Sequence, residues 1–264
     1  MTLNLARVTR WAAVALTAGT LGQVVFAAPV MPSFATVPTG WTTDRYDPAS
    51  FTNVGTYQGR SDVLGIGIDA TGDAANRGGL NATFYNTQGR QTAVTGGAGS
   101  VLSADLFINA SWRDSNSGFV RTDMWAVGSN STAVTDYGII GFTNYGGAAR
   151  LRVFDGNVLG GWVDLSNTIA FDAWTAFDIE LTATSLVYRV NGAQVYVDNT
   201  IGADRFSAVI MQAYNFADPA LGSPTTVPYV AHWSNTQNAQ VPEPASLALV
   251  ALALAGLGVT RRKA

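Results

Sequence analysis

Residues 186–197 read LVYRVNGAQVYV, two alternating runs that meet at Asn191-Gly192. Successive side chains of a strand point to opposite faces, so Leu186, Tyr188 and Val190 share one side while Val187 and Arg189 share the other. Asn-Gly tolerates the positive φ angles that a type I′ turn demands at both central positions. The segment therefore reads as a β-hairpin. Just upstream, WTAFDIELT at 174–182 places Phe177, Ile179 and Leu181 on one face and supplies the preceding strand.

Outward from this hairpin the pattern repeats. VLGIGID (63–69), NATFYN (81–86), VLSADLFI (101–108), TDMWAV (122–127), YGIIGF (137–142) and RLRVF (150–154) come before it. SAVIMQAY (207–214) and PYVAHW (228–233) come after it. No stretch sustains a helical period of apolar residues, and Gly interrupts any that begins. Many short strands separated by turn signals predict a sandwich or a barrel. The composition agrees. Only 12% of the 264 residues are charged, against about a quarter in ordinary soluble domains. Lys occurs once and Glu twice, so good helix formers are scarce, while Asp, Asn, Ser, Thr and Gly supply the polarity of turns. The absence of Cys excludes disulfides and thiolate metal sites.

Both ends stand apart from this pattern. Residues 1–27 carry Arg7 and Arg10, an apolar stretch from Trp11 to Phe26, and small residues at the end of Val25-Phe26-Ala27. That order describes a secretory signal peptide. At the other end, residues 241–264 read VPEPASLALVALALAGLGVTRRKA. Val241-Pro242-Glu243-Pro244 leads into an uncharged segment from Ala245 to Val259, shorter than the ~20 residues a spanning helix needs. Arg261, Arg262 and Lys263 follow, and such cations hold a segment's end at the cytoplasmic face.

These three ordered elements resemble the PEP-CTERM sorting signal of Gram-negative bacteria. The resemblance implies recognition by an exosortase, membrane contact through a C-terminal helix before processing, and removal of the tail near the Pro-Glu-Pro triplet. The expected organisation is a signal peptide (1–27), one β-sandwich domain (28–240) and a sorting signal (241–264). The expected destination is the cell envelope, its surface or the extracellular matrix. Within the body, ten arginines face seventeen carboxylates, a net charge of −7. That balance argues against nucleic acid, which requires clustered cations.

A strand opened by Trp174, followed by a hairpin on Asn191-Gly192, resembles the late strands of concanavalin A-like and laminin-G-like jelly rolls. Arg45, Pro48 and Phe51 ahead of Gly59, and the closing run Tyr229 to Asn235, fit the same layout. The resemblance implies an all-β antiparallel sandwich, flanked by a signal helix and a sorting helix. Jelly-roll glucanases of the laminarinase type carry a Glu-x-Asp-x-x-Glu strand motif. Here the body holds a single Glu, and Asp178-Ile179-Glu180 lacks the third member. His232, between Ala231 and Trp233, has no recognisable catalytic partner motif. The expectation is therefore a surface or matrix protein that is not an enzyme. The alternative is a divergent glycoside hydrolase or lyase that uses Asp carboxylates on extracellular polysaccharide, since glycosidases need two carboxyls.

Alternation in the central strands selects the candidate ligand residues. Asp105 stands opposite Ala104 and Leu106; Arg121, Asp123 and Trp125 oppose Thr122, Met124 and Ala126; Arg152 opposes Leu151 and Val153. Asp105, Arg121, Asp123, Trp125 and Arg152 are expected to line a groove with weak affinity for carbohydrate. The plainer alternative is a solvated sheet face stabilised by pairs such as Asp123 with Arg152. For a cofactor, calcium is the one the loops suit, through the oxygens of Asp69, Asp73 and Asn76 or of Asp114, Ser115 and Asn116. The same residues also build ordinary turns.

Overall fold

The computed structural model describes residues 28–69, 86–216 and 227–235. The signal peptide, residues 81–85 of the strand expected at 81–86, Asp73, Asn76 and the sorting tail lie outside the described residues. Among those described, no helix is long and apolar enough to cross a membrane.

Among the described residues fifteen strands follow one another. Five precede residue 98: β1 (Ala28–Pro29), β2 (Thr42–Thr43), β3 (Ser50–Asn53), β4 (Leu64–Ile68) and β5 (Thr87–Gly97). The middle of the chain forms β6 (Ser100–Ile108), β7 (Arg121–Ser129), β8 (Val134–Thr143), β9 (Arg150–Phe154) and β10 (Trp162–Asp164). The last five are β11 (Ala173–Leu181), β12 (Leu186–Val190), β13 (Ala193–Asp198), β14 (Arg205–Tyr214) and β15 (Tyr229–Ser234). They form two sheets. The first runs β13-β12-β11-β6-β15-β4-β3, with β1 added in parallel to β6; the second runs β10-β9-β8-β7-β14-β5-β2. The other pairings are antiparallel, and the architecture is a jelly-roll sandwich.

The hairpin of β12 and β13 lies at one edge of the first sheet. Val190 pairs with Ala193, which leaves Asn191 and Gly192 as a two-residue loop at φ 50° and 78°. The Asn191 side chain also accepts from the Ala176 amide, 2.9 Å away, so the turn is tied back to β11.

One core fills the space between the sheets. Leu102, Leu106, Phe177, Ile179, Tyr188 and Trp233 come from the first; Met124, Phe142, Val153 and Phe206 come from the second. Each is buried, and burying a side chain of this size is worth about 1.5–3 kcal/mol. Their neighbours in sequence necessarily face outward. The core therefore fixes which residues of β7, β8, β9 and β14 reach the far side of the second sheet.

Candidate functional site

On that outer face, register brings two rows of side chains together. In one, Gln212 (β14), Asp123 (β7), Gly141 (β8), Arg152 (β9) and Asp164 (β10) are successive cross-strand partners. In the next, Ile210, Trp125, Ile139, Phe154 and Trp162 follow the same order of strands. A polar row thus lies beside an apolar, aromatic one.

The aromatic row opens into a groove of ≈ 380 Å³ walled by Trp125, Tyr137, Phe154 and Trp162, with Ile139, Arg45 and Arg121 completing its lining. Trp125 meets Tyr137 edge to face at 5.9 Å, and Phe154 meets Trp162 likewise at 5.3 Å. Guanidinium groups lie over both indoles. Arg45 stands 4.7 Å from the Trp125 ring centre; Arg121 and Arg152 stand 4.7 and 3.7 Å from that of Trp162. Such contacts hold the rings in place, and the surface left along the groove is mostly apolar.

The polar row is organised around Asp123, which is fully buried. Its Oδ2 accepts from Arg121 Nε at 2.7 Å and from Gln212 Nε2 at 3.4 Å. Gln212 in turn accepts from Arg45, 2.9 Å away, and Arg45 pairs with Asp44 at 2.7 Å. Burial pushes the Asp44 carboxyl above its ordinary value, with Arg45 opposing that shift. Asp123 Oδ1 and Arg152 Nε have no hydrogen-bond partner among the described residues. Between these two strands stands Gly141, where a Cβ would overlap the Thr122 carbonyl and Asp123 Oδ1. Only glycine leaves the Asp123 carboxylate its space.

Arg121, Asp123, Trp125 and Arg152 are therefore together on one face. Asp105 is not with them. It lies on β6 of the first sheet and pairs with Arg60, whose guanidinium covers Trp174 at 4.4 Å. The partner of Asp123 is Arg121 on its own strand and not Arg152. Alternation assigns a face within a strand but not a sheet within the sandwich, so Asp105 could not be separated from the others by sequence. Arg45, Gln212, Tyr137, Phe154 and Trp162 join the groove as well. In SAVIMQAY, Gln212 shares its parity with Ala208 and Ile210, a signal that was available; Trp162 sits in a three-residue strand too short to carry one.

Of the calcium candidates, Asp69 follows β4 and its carbonyl accepts from Asn215 at 3.1 Å. Asp114 caps the short 3₁₀ turn Ser115–Ser117, accepting from the Asn116 amide at 2.9 Å. Among the described residues, no three acidic or imidazole groups converge as a metal site would require.

The comparisons with known proteins add the tail's identity and the fold's relatives. Residues 240–263 match the PEP-CTERM protein-sorting motif. This motif marks export with sorting to the cell surface or beyond, and implies processing by an exosortase. No curated protein matches the chain. Similar solved structures include a Bacillus licheniformis β-glucanase, 16% identical, TM-score 0.45, covering 76% of this chain and 94% of that one. A glycoside hydrolase family 16 endo-glucanase from Bacteroides ovatus is 13% identical, TM-score 0.42, covering 76% and 97%. The carbohydrate-binding module CBM66 from Bacillus subtilis is 11% identical, TM-score 0.38, covering 67% and 91%. The jelly-roll, concanavalin A-like fold is common to them. The expectation that the chain is not an enzyme is corrected here, because the β-glucanase and the endo-glucanase among these structures are enzymes. The missing Glu-x-Asp-x-x-Glu motif was too narrow a ground for it, since any two well-placed carboxyls can serve.

Proposed function

We propose that this is a tail-sorted protein of the bacterial surface or extracellular matrix, whose outer sheet face takes up extracellular polysaccharide. In this reading residues 1–27 are removed as a signal peptide, 28–240 form the working body, and 241–264 are the sorting tail. The observation that carries it is the groove: a small apolar cavity walled by two Trp, a Tyr and a Phe, with ordered polar groups along one side. Binding sites for small molecules have this make-up. Flat aromatic faces suit the C–H surface of a pyranose, and the adjacent Asp, Gln and Arg groups suit its hydroxyls.

Cleavage of the bound polysaccharide is the second reading. Asp44 and Asp123 sit at the two ends of the chain Asp44–Arg45–Gln212–Asp123, one pushed toward its protonated form by burial, the other ion-paired with Arg121. Two carboxyls in unlike environments are one of the requirements of acid–base cleavage of a glycosidic bond.

Incubating the full chain with a panel of bacterial matrix polysaccharides tests both, with retention and release of reducing ends read from the same samples. Retention that falls at least tenfold in Trp125→Ala supports the groove. Retention unchanged by that substitution rejects it. Reducing ends released by the parent but not by Asp123→Asn support cleavage, and equal release rejects that role. The intact mass of protein recovered from its native surface is expected to lack both terminal segments.

A further inference from the structure

The polysaccharide reading leaves open what kind of sugar the groove prefers, and the arginines bear on that. Arg121 and Arg152 approach the same indole, that of Trp162. Between them they have one carboxylate, because Asp123 is ion-paired to Arg121 and Arg152 forms no ion pair among the described residues. Arg152 is only 8% exposed, and its Nε is buried without a hydrogen-bond partner among those residues. Burial pushes its guanidinium down to about 10; repulsion from Arg121 and Arg150 adds to this, and Asp123 and Asp164 oppose it. It stays charged at neutral pH, in a place short of negative charge.

Three guanidiniums here, those of Arg121, Arg150 and Arg152, face two carboxylates, those of Asp123 and Asp164, and burial makes the unbalanced cation costly. An incoming carboxylate would balance that charge, because its two oxygens match the planar donor fork of a guanidinium. The surplus is local: the body as a whole is acidic, so nothing general about it attracts anions.

We infer that the groove selects acidic polysaccharide, with Arg121 and Arg152 forming the subsite for the carboxylate of a uronic acid residue beside Trp162. This rests on the reading of the groove as a saccharide site. A uronate has both features that the two rows address: a pyranose face for the aromatic row, and a ring carboxylate for the cationic one.

The test compares binding of the full chain to polygalacturonate, to the same polymer with its carboxyls reduced to alcohols, to a sulfated glucan and to a neutral β-glucan. A charge-assisted hydrogen bond gained at the subsite predicts about tenfold to a hundredfold tighter binding of the uronate polymer than of its reduced form. Arg152→Gln is expected to lower the affinity for the uronate polymer at least tenfold more than the affinity for its reduced form. Equal binding of the native and reduced polymers overturns the inference and leaves the groove standing. A preference that survives in Arg152→Gln overturns the assignment of the subsite, and tighter binding of the sulfated glucan than of polygalacturonate overturns the carboxylate. Failure to bind any of the four overturns the polysaccharide reading itself. Should Arg152→Gln not fold, the comparison of native with reduced polymer still decides on the parent chain.

Discussion

Trp233 of β15 donates its indole N–H to the Thr122 hydroxyl of β7, 2.9 Å away, and so joins the two sheets by a hydrogen bond through the core. Both residues are fully buried. The hydroxyl in turn donates a hydrogen bond to the main-chain carbonyl of Gln212 at 2.7 Å, which completes a chain directly behind Asp123. Thr122→Val keeps the shape but leaves the indole donor without an acceptor. A buried donor left unmet costs about 1–3 kcal/mol. For a body of this size each kcal/mol lowers Tm by about 2–4 °C. A variant melting within a degree of the parent would contradict this account of the core.

Tyr229 makes another polar link between the sheets. Its hydroxyl accepts from the Tyr214 amide at 3.0 Å and approaches the carbonyls of Tyr214 and Arg121 at 2.6 and 2.9 Å. Burial pushes the phenol's pKa upward, so it remains a donor over the whole working pH range. Tyr229→Phe is expected to lose about 1–2 kcal/mol in denaturant unfolding. The m-value should not change, because the surface exposed on unfolding is the same. An unaltered unfolding midpoint would mean that water replaces these bonds without cost.

Gly141 limits what the polar row can tolerate. A methyl group there meets the Thr122 carbonyl and the Asp123 Cα as well as the Asp123 carboxylate, and the two backbone atoms cannot swing aside. Overpacking of this kind costs about 1–3 kcal/mol. Gly141→Ala should also displace Asp123 and so weaken polysaccharide binding together with stability. Stability lost while binding stays intact would separate Asp123 from the groove.

Much of the fold was legible because strand parity is a local property. The faces expected for Phe177, Ile179 and Leu181, for Leu102 to Ile108, and for Arg121, Asp123 and Trp125 are those the core enforces. The turn at Asn191-Gly192 was legible for the same reason. Strand β5 was not. Its sequence, TQGRQTAVTGG, carries three Gly and few apolar residues, and β14 and β2 hold it from either side in a register that no local pattern announces. The groove was half legible. Four of its charged and aromatic residues were visible as one face, but the separation of Asp105 depends on which sheet a strand joins, and that is decided by pairings between residues distant in sequence.

His232 stacks flat on Tyr57, ring centres 3.7 Å apart and planes 6° from parallel, on the outer side of the first sheet. Burial lowers its pKa below the ordinary value of 6.5. Above 6.5 the imidazole is neutral in both folded and unfolded chains and leaves stability unaffected. As pH falls through 6.5 the unfolded chain takes up a proton that the folded one resists, so stability drops until the lowered folded value is passed as well. Tm is therefore expected to decline as the solution is acidified below 6.5. His232→Phe, which keeps a flat ring against Tyr57, should remove this part of the decline. Asp44 acts in the opposite sense from 3.8 upward, since burial raises its value, but it acts equally in parent and variant. Their difference isolates the imidazole, and parallel curves for the two proteins would refute its role.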